Sequence, residues 1–218
     1  MLALALLVPN VPRLLPAGTL RARRGLPTVI LMRGLMAGSY FGVEAFLPLM
    51  LEQHRGLSVT LAGLSLVTAA ISWAISSWAI NRPFVTTRIS RPGLVRLGIA
   101  LCGASLLGDI LAVYSATPPW TAAVAMFFAA LGAGMAFPTV SVLTLELSGP
   151  EEQGTNSASL QVADGLTSTT TIALGCGLYH ALDPSGAGAG GGVFALLFLC
   201  FVAVAALAWV LAPRVRKG

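Results

Sequence analysis

Residues 28–51 read TVILMRGLMAGSYFGVEAFLPLML, an apolar stretch of membrane-crossing length that holds two charged residues, Arg33 and Glu44. About 20 apolar residues at 1.5 Å per residue cross the hydrocarbon core of a bilayer. A charged side chain at bilayer depth costs at least about 2.5 to 3.5 kcal/mol on insertion scales, so it is rarely kept there without a role. The stretch predicts a transmembrane helix, and Glu44 is a candidate functional residue.

The rest of the chain continues this pattern. Of its 218 residues, 56% are hydrophobic and only 10% are charged, against roughly 25% charged residues in a typical soluble domain. Runs rich in charge, Pro or Gly separate further apolar stretches at 57–80, 94–114, 120–147, 155–182 and 193–212. The sequence therefore predicts an all-α fold, a polytopic membrane bundle of six transmembrane helices over residues 28–212.

Basic residues cluster at one set of helix ends, where Arg and Lys mark the cytoplasmic side. The clusters lie before the first stretch, after the second and after the sixth: Arg13, Arg21, Arg23 and Arg24; Arg82, Arg88, Arg91 and Arg96; Arg214, Arg216 and Lys217. Arg55 lies on the other side, and Arg33 is expected to snorkel to the cytoplasmic interface. The pattern predicts a multi-pass protein of the cell membrane with both termini cytoplasmic. It also explains the net charge of +5 without a nucleic-acid partner.

The two ends of the chain are interpreted as parts outside the bundle. Residues 1–27 read as the end of a preceding helix, at 1–8, followed by a basic cytoplasmic linker with prolines at 9, 12 and 16. Residues 213–218 read as a basic cytoplasmic tail. The short apolar run at 1–8 cannot cross a bilayer by itself. We therefore expect this chain to be the latter part of a longer one.

Two further acids, Asp109 and Asp164, fall inside predicted spans. Asp164 is expected roughly 14 Å along its helix, close to the bilayer midplane. Polar residues at helical spacings around it predict a water-lined face: Gln161, Thr167, Ser168 and Thr171. Glu44 and Asp109 are expected at shallower depth. We consider Asp164, Glu44, Asp109 and Gln161 as candidates for proton coupling or substrate binding, with simple pairing to another helix as the alternative for Asp164.

Small residues and a proline mark two helices for close packing or motion. Gly34, Gly38 and Gly42 recur every four residues and share one face, which suits close helix packing or a sliding contact. In the fourth stretch the corresponding cluster is Gly132, Gly134 and Pro138. Proline removes a backbone hydrogen bond and bends a helix, so we expect a kink, with a hinge as the alternative.

A basic linker, six spans, a basic loop after the second span and a Gly-rich fourth span with an internal proline resemble the C-terminal six-helix half of a major facilitator superfamily transporter. The family's cytoplasmic motif runs small-x-x-x-Asp-Arg-x-Gly, and here Ser77 and Arg82 keep its small residue and arginine while Asn81 replaces its acid. The stretches 41–48 (FGVEAFLP) and 54–58 (HRGLS) resemble actinobacterial drug-efflux-type members.

This resemblance implies secondary active, proton-coupled efflux of a small organic solute, without a cofactor or a bound metal. It assigns Asn81 and Arg82 to a cytoplasmic gating loop. It also implies an N-terminal six-helix half as a partner, beside substrate, protons and lipid, with substrate bound between the halves.

Two other classes of protein stay open at this point. A complete six-span protein could act as a homodimer or as a non-transporting partner. A remote alternative is an intramembrane serine protease, because Gly103 and Ser105 fit a Gly-x-Ser pattern and His180 is the candidate base. Such an enzyme needs its histidine within reach of the serine inside the membrane. We expect His180 at the outer surface, so the prediction is that the chain is not an enzyme.

Overall fold

The computed structural model describes residues 14–183 and 190–215. Six long helices lie within these ranges, and we number them in chain order: α1 Leu26–Gln53, α2 Val59–Ala79, α3 Arg91–Val113, α4 Trp120–Leu147, α5 Gln153–Leu182 and α6 Gly191–Leu211. The described residues contain no strand, so the all-α prediction is confirmed. The predicted helix end at 1–8 and residues 216–218 of the predicted tail lie outside the described ranges.

Five of the six helices, α1 to α4 and α6, are long and apolar enough to cross a membrane. Helix α5 has 30 residues and is long enough, but it is more polar than the others. Its residues Gln161, Gly165 and Thr169 are exposed and recur every four positions, so they share one face. The six predicted spans are therefore six long helices, and one of them carries a polar face.

Local signals explain where the helices begin. The side chains of Ser58 and Ser90 accept hydrogen bonds from the backbone N–H groups of Leu61 and Gly93, which makes them the N-caps of α2 and α3. Gly56, with φ of +66°, supplies the left-handed residue that turns the chain between α1 and α2. These short connections force consecutive helices to run in opposite directions.

Helices α1 and α4 form the centre of the bundle and are the most buried of the five apolar helices. Helices α5 and α6 pack on α1, while α2 and α3 pack on α4. Exchanging the first three helices with the last three leaves this packing pattern unchanged, since α1–α4 and α3–α6 contacts map onto themselves. The main helix contacts are therefore those expected of two three-helix repeats, an organisation found in transporter folds. We call the end at which α1, α3 and α5 begin the basic end.

The glycine face of α1 packs tightly against its neighbours. A Cβ on Gly34 would lie 2.5 Å from the hydroxyl oxygen of Thr167, and one on Gly38 would lie 2.7 Å from that of Thr171, both on α5. A Cβ on Gly42 would instead lie 3.0 Å from the ring of Phe201 on α6. These contacts are those of a packed helix interface.

The small residues of α4 contact different partners on different sides. A Cβ on Gly98 of α3 would lie 2.5 Å from the Gly132 carbonyl oxygen, whereas one on Gly134 would lie 2.8 Å from the Trp73 carbonyl oxygen on α2. Pro138 lacks the N–H that would bond the Gly134 carbonyl oxygen four residues earlier. The Ser77 hydroxyl of α2 donates to that oxygen at 3.1 Å and replaces the missing bond. Helix α2 thus supplies the hydrogen-bond donor for the α4 carbonyl group that Pro138 leaves without a partner.

Candidate functional site

A buried ion pair joins α1 to α5. The Arg33 guanidinium contacts the Asp164 carboxylate through Nη2 at 2.7 Å and through Nε at 2.8 Å from each carboxylate oxygen. The pairing alternative for Asp164 thus describes this conformation. Several short contacts to one ionised group make this a strong, charge-assisted interaction.

Arg33 also holds α4. Its Nη1 donates to the Phe137 carbonyl oxygen at 2.6 Å and to the Ser141 hydroxyl at 3.5 Å. The guanidinium carbon lies 4.0 Å from the centre of the Phe137 ring, close enough for a cation–π interaction. One arginine therefore links α1, α4 and α5 at the turn of α4 that contains Pro138.

The expected snorkelling of Arg33 to the interface is wrong. The residue is only 7% exposed, because α1 lies at the centre of the bundle and is surrounded by other helices at this depth. A buried cation needs a counter-ion, and Asp164 supplies it. The position of Arg33 in the sequence places it near the start of α1. It does not show that neighbouring helices bury this position.

The water-lined face predicted around Asp164 is only partly present. Thr167 and Thr171 face the glycines of α1, and the Thr167 hydroxyl donates to the Ala163 carbonyl oxygen. Ser168 donates to the carbonyl oxygen of Asp164 at 2.7 Å. Gln161 is exposed, one turn before Asp164. The open side of α5 therefore runs through Gln161 and not through Thr167 and Thr171.

Glu44 lies in an open groove between α1 and α5, lined also by Phe41, Ala45, Ser168 and Ile172. Its carboxylate is half-buried and has no hydrogen bond or ion pair with another residue in the described ranges. Ser168 lies one turn beyond Asp164, so the groove borders the ion pair. Glu44 and Asp164 are thus brought to the same seam, one unpaired and one paired.

Asp109 is fully buried inside the bundle. Its expected shallow depth along the helix is a separate property and stays a prediction. Position 109 falls on the same face of α3 as the buried residues Cys102, Leu106 and Val113. Neither carboxylate oxygen has a hydrogen-bond partner within the part of the chain that the structure describes. The structure does not bring Asp109 into the seam of Glu44 and Asp164.

The loop after α2 holds the two residues predicted to gate. The Asn81 side-chain amide donates to the Ser77 carbonyl oxygen at 3.0 Å and so caps the carboxyl end of α2. The Arg82 guanidinium lies 4.1 Å from the centre of the Trp78 ring. Both residues are exposed at the basic end of the bundle.

Sequence reasoning missed a cluster at the opposite end. Arg55 donates to the carbonyl oxygens of Ala112, Tyr114 and Thr117, each at 2.6 Å, and the His54 ring lies 3.0 Å from the Val113 carbonyl oxygen. The carbonyl groups of Ala112, Val113 and Tyr114 lie at the end of α3, where they have no helical partners, and that of Thr117 lies in the segment before α4. Arg55 stood apart in the sequence as the one arginine opposite the basic clusters, which was the available signal.

The residues of the remote protease alternative have other partners. The Ser105 hydroxyl donates to the Leu101 carbonyl oxygen at 2.6 Å within its own helix. His180 is exposed near the end of α5. This arrangement gives Ser105 no activating base among the described contacts.

Six long helices, five of them apolar enough to cross a membrane, with a charged pair between α1 and α5, describe a polytopic membrane bundle. The chain matches the Major Facilitator Superfamily over residues 3–171, more than half of its length, and it belongs to this family of membrane transporters. Family membership confirms the prediction that the chain is not an enzyme.

A relative with a stated role is the methylenomycin A resistance protein of Streptomyces coelicolor, which is 28% identical over 144 residues. The alignment covers 66% of this chain and 30% of that relative. The chain therefore matches less than a third of the length of this relative.

Proposed function

We propose that the chain is the C-terminal half of a secondary active carrier that exports a small organic solute from a bacterial cell in exchange for protons. The observation that carries the proposal is the Arg33–Asp164 pair, buried where α1, α4 and α5 meet. The antibiotic-resistance role in the name of the Streptomyces relative supports export as the direction and makes methylenomycin A the first compound to test.

Coupling follows from the electrostatics of the pair. When Asp164 is ionised, its charge and that of Arg33 compensate each other inside the bundle. A proton on Asp164 would leave Arg33 as a buried cation without a counter-ion, which is costly. Protonation would therefore favour an arrangement in which the guanidinium reaches water or a substrate anion. Proton binding and movement of α5 against α1 become linked in this way.

Glu44 and Gln161 extend the site along the seam. The unpaired carboxylate of Glu44 lies in the groove beside Ser168, where it offers a place for a proton or a substrate cation. Gln161, Gly165 and Thr169 form the exposed polar face of α5. Polar groups are costly against lipid, so this face is suited to a water-filled cavity. We assign that cavity to the space between this bundle and an N-terminal six-helix half.

The remaining candidates receive supporting roles. We place the basic end and both termini in the cytoplasm, in line with the positive-inside rule. Asn81 and Arg82 then lie in the cytoplasmic loop where the family's gating motif occurs, although Asn81 offers a hydrogen bond in place of a charge. Asp109, which is fully buried and has no hydrogen-bond partner in the described part of the chain, is the second candidate proton site.

The test uses the full-length carrier, including any helices encoded upstream, in inverted membrane vesicles with an imposed pH gradient. Methylenomycin A and a panel of small organic antibiotics are added, and collapse of the gradient is followed with an acridine dye. We expect Asp164→Asn and Glu44→Gln to reduce compound-induced proton release at least about tenfold, the usual scale for loss of an essential proton-transfer group. Glu52→Gln, at an exposed acid near the end of α1, is the matched control.

Three results would count against the proposal. If no compound collapses the gradient in the wild-type vesicles, proton-coupled export is not supported. If the Asp164 and Glu44 variants match the Glu52 control, the coupling site lies elsewhere. If the 218-residue chain alone transports as a symmetric dimer, a second copy replaces the N-terminal half.

A further inference from the structure

A cavity of about 280 Å³ with a mixed polar and apolar lining lies at the basic end, between the end of α2, the start of α3 and the second half of α4. Asn81, Ser90 and Arg91 provide its polar wall, and Ile80 and Leu94 are among its apolar lining. Pro138 borders the cavity at the point where it interrupts α4. The cavity is separate from the seam of Arg33, Glu44 and Asp164, so its ligand need not be the transported solute.

The segment that borders this cavity is basic, which favours an anion. The segment from Ile80 to Arg96 contains Arg82, Arg88, Arg91 and Arg96 and no acidic residue. Asn81 stands where the family motif has an acid, which removes the negative charge that would otherwise lie at the cavity wall. Across the mouth, Glu146 pairs with Arg91, and both side chains are about half exposed. A guanidinium has five N–H donors, so Arg91 keeps donors for a second partner.

The donors suit a phosphate group. Arginine pairs with phosphate through parallel N–H contacts, and the Ser90 hydroxyl, itself at the mouth, adds another donor. The cavity also lies beside the first turn of the 23-residue helix α3, whose amino-terminal dipole favours negative charge. The apolar part of the lining fits a fully hydrated small ion poorly. It favours an amphipathic ligand that has an anionic group and a hydrocarbon part.

The position of the cavity identifies the source of such a ligand. Val142 of α4, which lines the cavity, is 39% exposed, and Trp78 near the end of α2 is 57% exposed. After α2, the short helix Pro83–Thr86 exposes Phe84. Exposed tryptophan and phenylalanine beside arginines are typical of a membrane interface. The exposed apolar surface at Val142 can contact acyl chains while the cavity receives the group attached to them.

We propose that this cavity binds the phosphate headgroup of an anionic phospholipid, with Arg91 as its principal contact. Basic pockets between transmembrane helices on the cytoplasmic side have the chemistry that such headgroups require. The lipid would then join α2, α3 and α4 at the basic end by bridging the loop of Asn81 to the start of α3.

The experiment measures lipid binding to the purified full-length protein by native mass spectrometry, with phosphatidylglycerol and phosphatidylcholine as probes. We expect one phosphatidylglycerol to bind more tightly than phosphatidylcholine. Arg91→Gln should weaken that binding at least about tenfold, because it removes a direct hydrogen bond to a charged group and not only general surface attraction. Arg24→Gln, which removes the same charge from an exposed position at the same end, should change it less than about twofold.

A second variant separates the site from the ion pair with Glu146. Val142→Phe narrows the cavity without changing any charge, and we expect the same selective loss of phosphatidylglycerol. Equal losses for Arg91→Gln and Arg24→Gln would overturn the proposal, because they would indicate general surface attraction. It would also be overturned if Val142→Phe bound normally, or if inorganic phosphate displaced the lipid and bound equally well by itself. None of these readouts requires transport activity.

Discussion

The Arg33–Asp164 pair makes a sharp prediction about stability. We consider three variants: Arg33→Met, Asp164→Leu and the double replacement. The pair is joined by contacts of 2.7 and 2.8 Å, and its side chains are only 9% and 14% exposed. Removing one partner from a buried pair costs about 3 to 5 kcal/mol, because the other charge is left without compensation.

For each single variant we expect a loss of about 3 kcal/mol, at the lower end of that range. When Asp164 is replaced, Arg33 keeps the Phe137 carbonyl and ring, which offset part of the loss. The double variant removes both charges and should lose no more than about 1 kcal/mol. The two single effects should therefore be non-additive by more than about 3 kcal/mol.

The assay is equilibrium unfolding of the protein in mixed micelles of dodecylmaltoside and sodium dodecyl sulfate, followed by far-ultraviolet circular dichroism. The half-exposed pair Arg91–Glu146 provides a matched control cycle. Exposed pairs contribute about 0 to 1 kcal/mol, so its coupling should be small. If the buried pair shows no more coupling than the exposed one, the compensation of charge inside the bundle is not what holds α1 to α5.

Three further predictions concern the helices around this pair, and all are measured by the same unfolding assay. Ser77→Ala should lower the free energy of unfolding by about 1 to 3 kcal/mol because the Gly134 carbonyl loses its donor. In a Pro138→Ala background the backbone bond is restored, so the same substitution should cost much less. An equal cost in both backgrounds would contradict this account. Gly134→Ala should destabilise by about 1 to 3 kcal/mol through its clash with α2, whereas Gly103→Ala, which meets nothing within 4 Å, should be neutral or stabilising. Asp109→Leu should raise stability, since it removes two buried oxygens that lack partners; a clear loss would show that Asp109 has a structural partner.

Much of the fold could be predicted because length and hydropathy report directly on helices in lipid. The apolar stretch 94–114 corresponds to α3, Arg91–Val113, and the stretch 120–147 to α4 with the same bounds. The small shift at the start of α3 has a local cause, since Ser90 is the N-cap. Breaks rich in charge, Pro and Gly mark helix ends whatever the tertiary structure.

The site was harder to predict because it depends on which face of each helix a residue occupies and on what that face contacts. Arg33 and Asp164 were both visible as charges in apolar stretches, but their pairing needs the register of α1 against α5. Asp109 was placed by its distance from the helix end, which does not reveal that α3 turns this residue inward. Arg55 bonds carbonyl groups at and just after the end of α3, about 60 residues further along the chain, and no local pattern encodes such a contact.

The interruption at Pro138 has a mechanical consequence. Within one turn of α4, the Phe137 carbonyl receives the guanidinium of α1 and the Gly134 carbonyl receives the hydroxyl of Ser77 on α2. Helices α1 and α2 thus both hydrogen-bond to the same short segment of α4. Loss of the Arg33 hydrogen bond would free that segment of α4 to move and would disturb its hydrogen bond to Ser77, which lies four residues before Asn81. A change of charge inside the bundle would in this way move the loop at its surface.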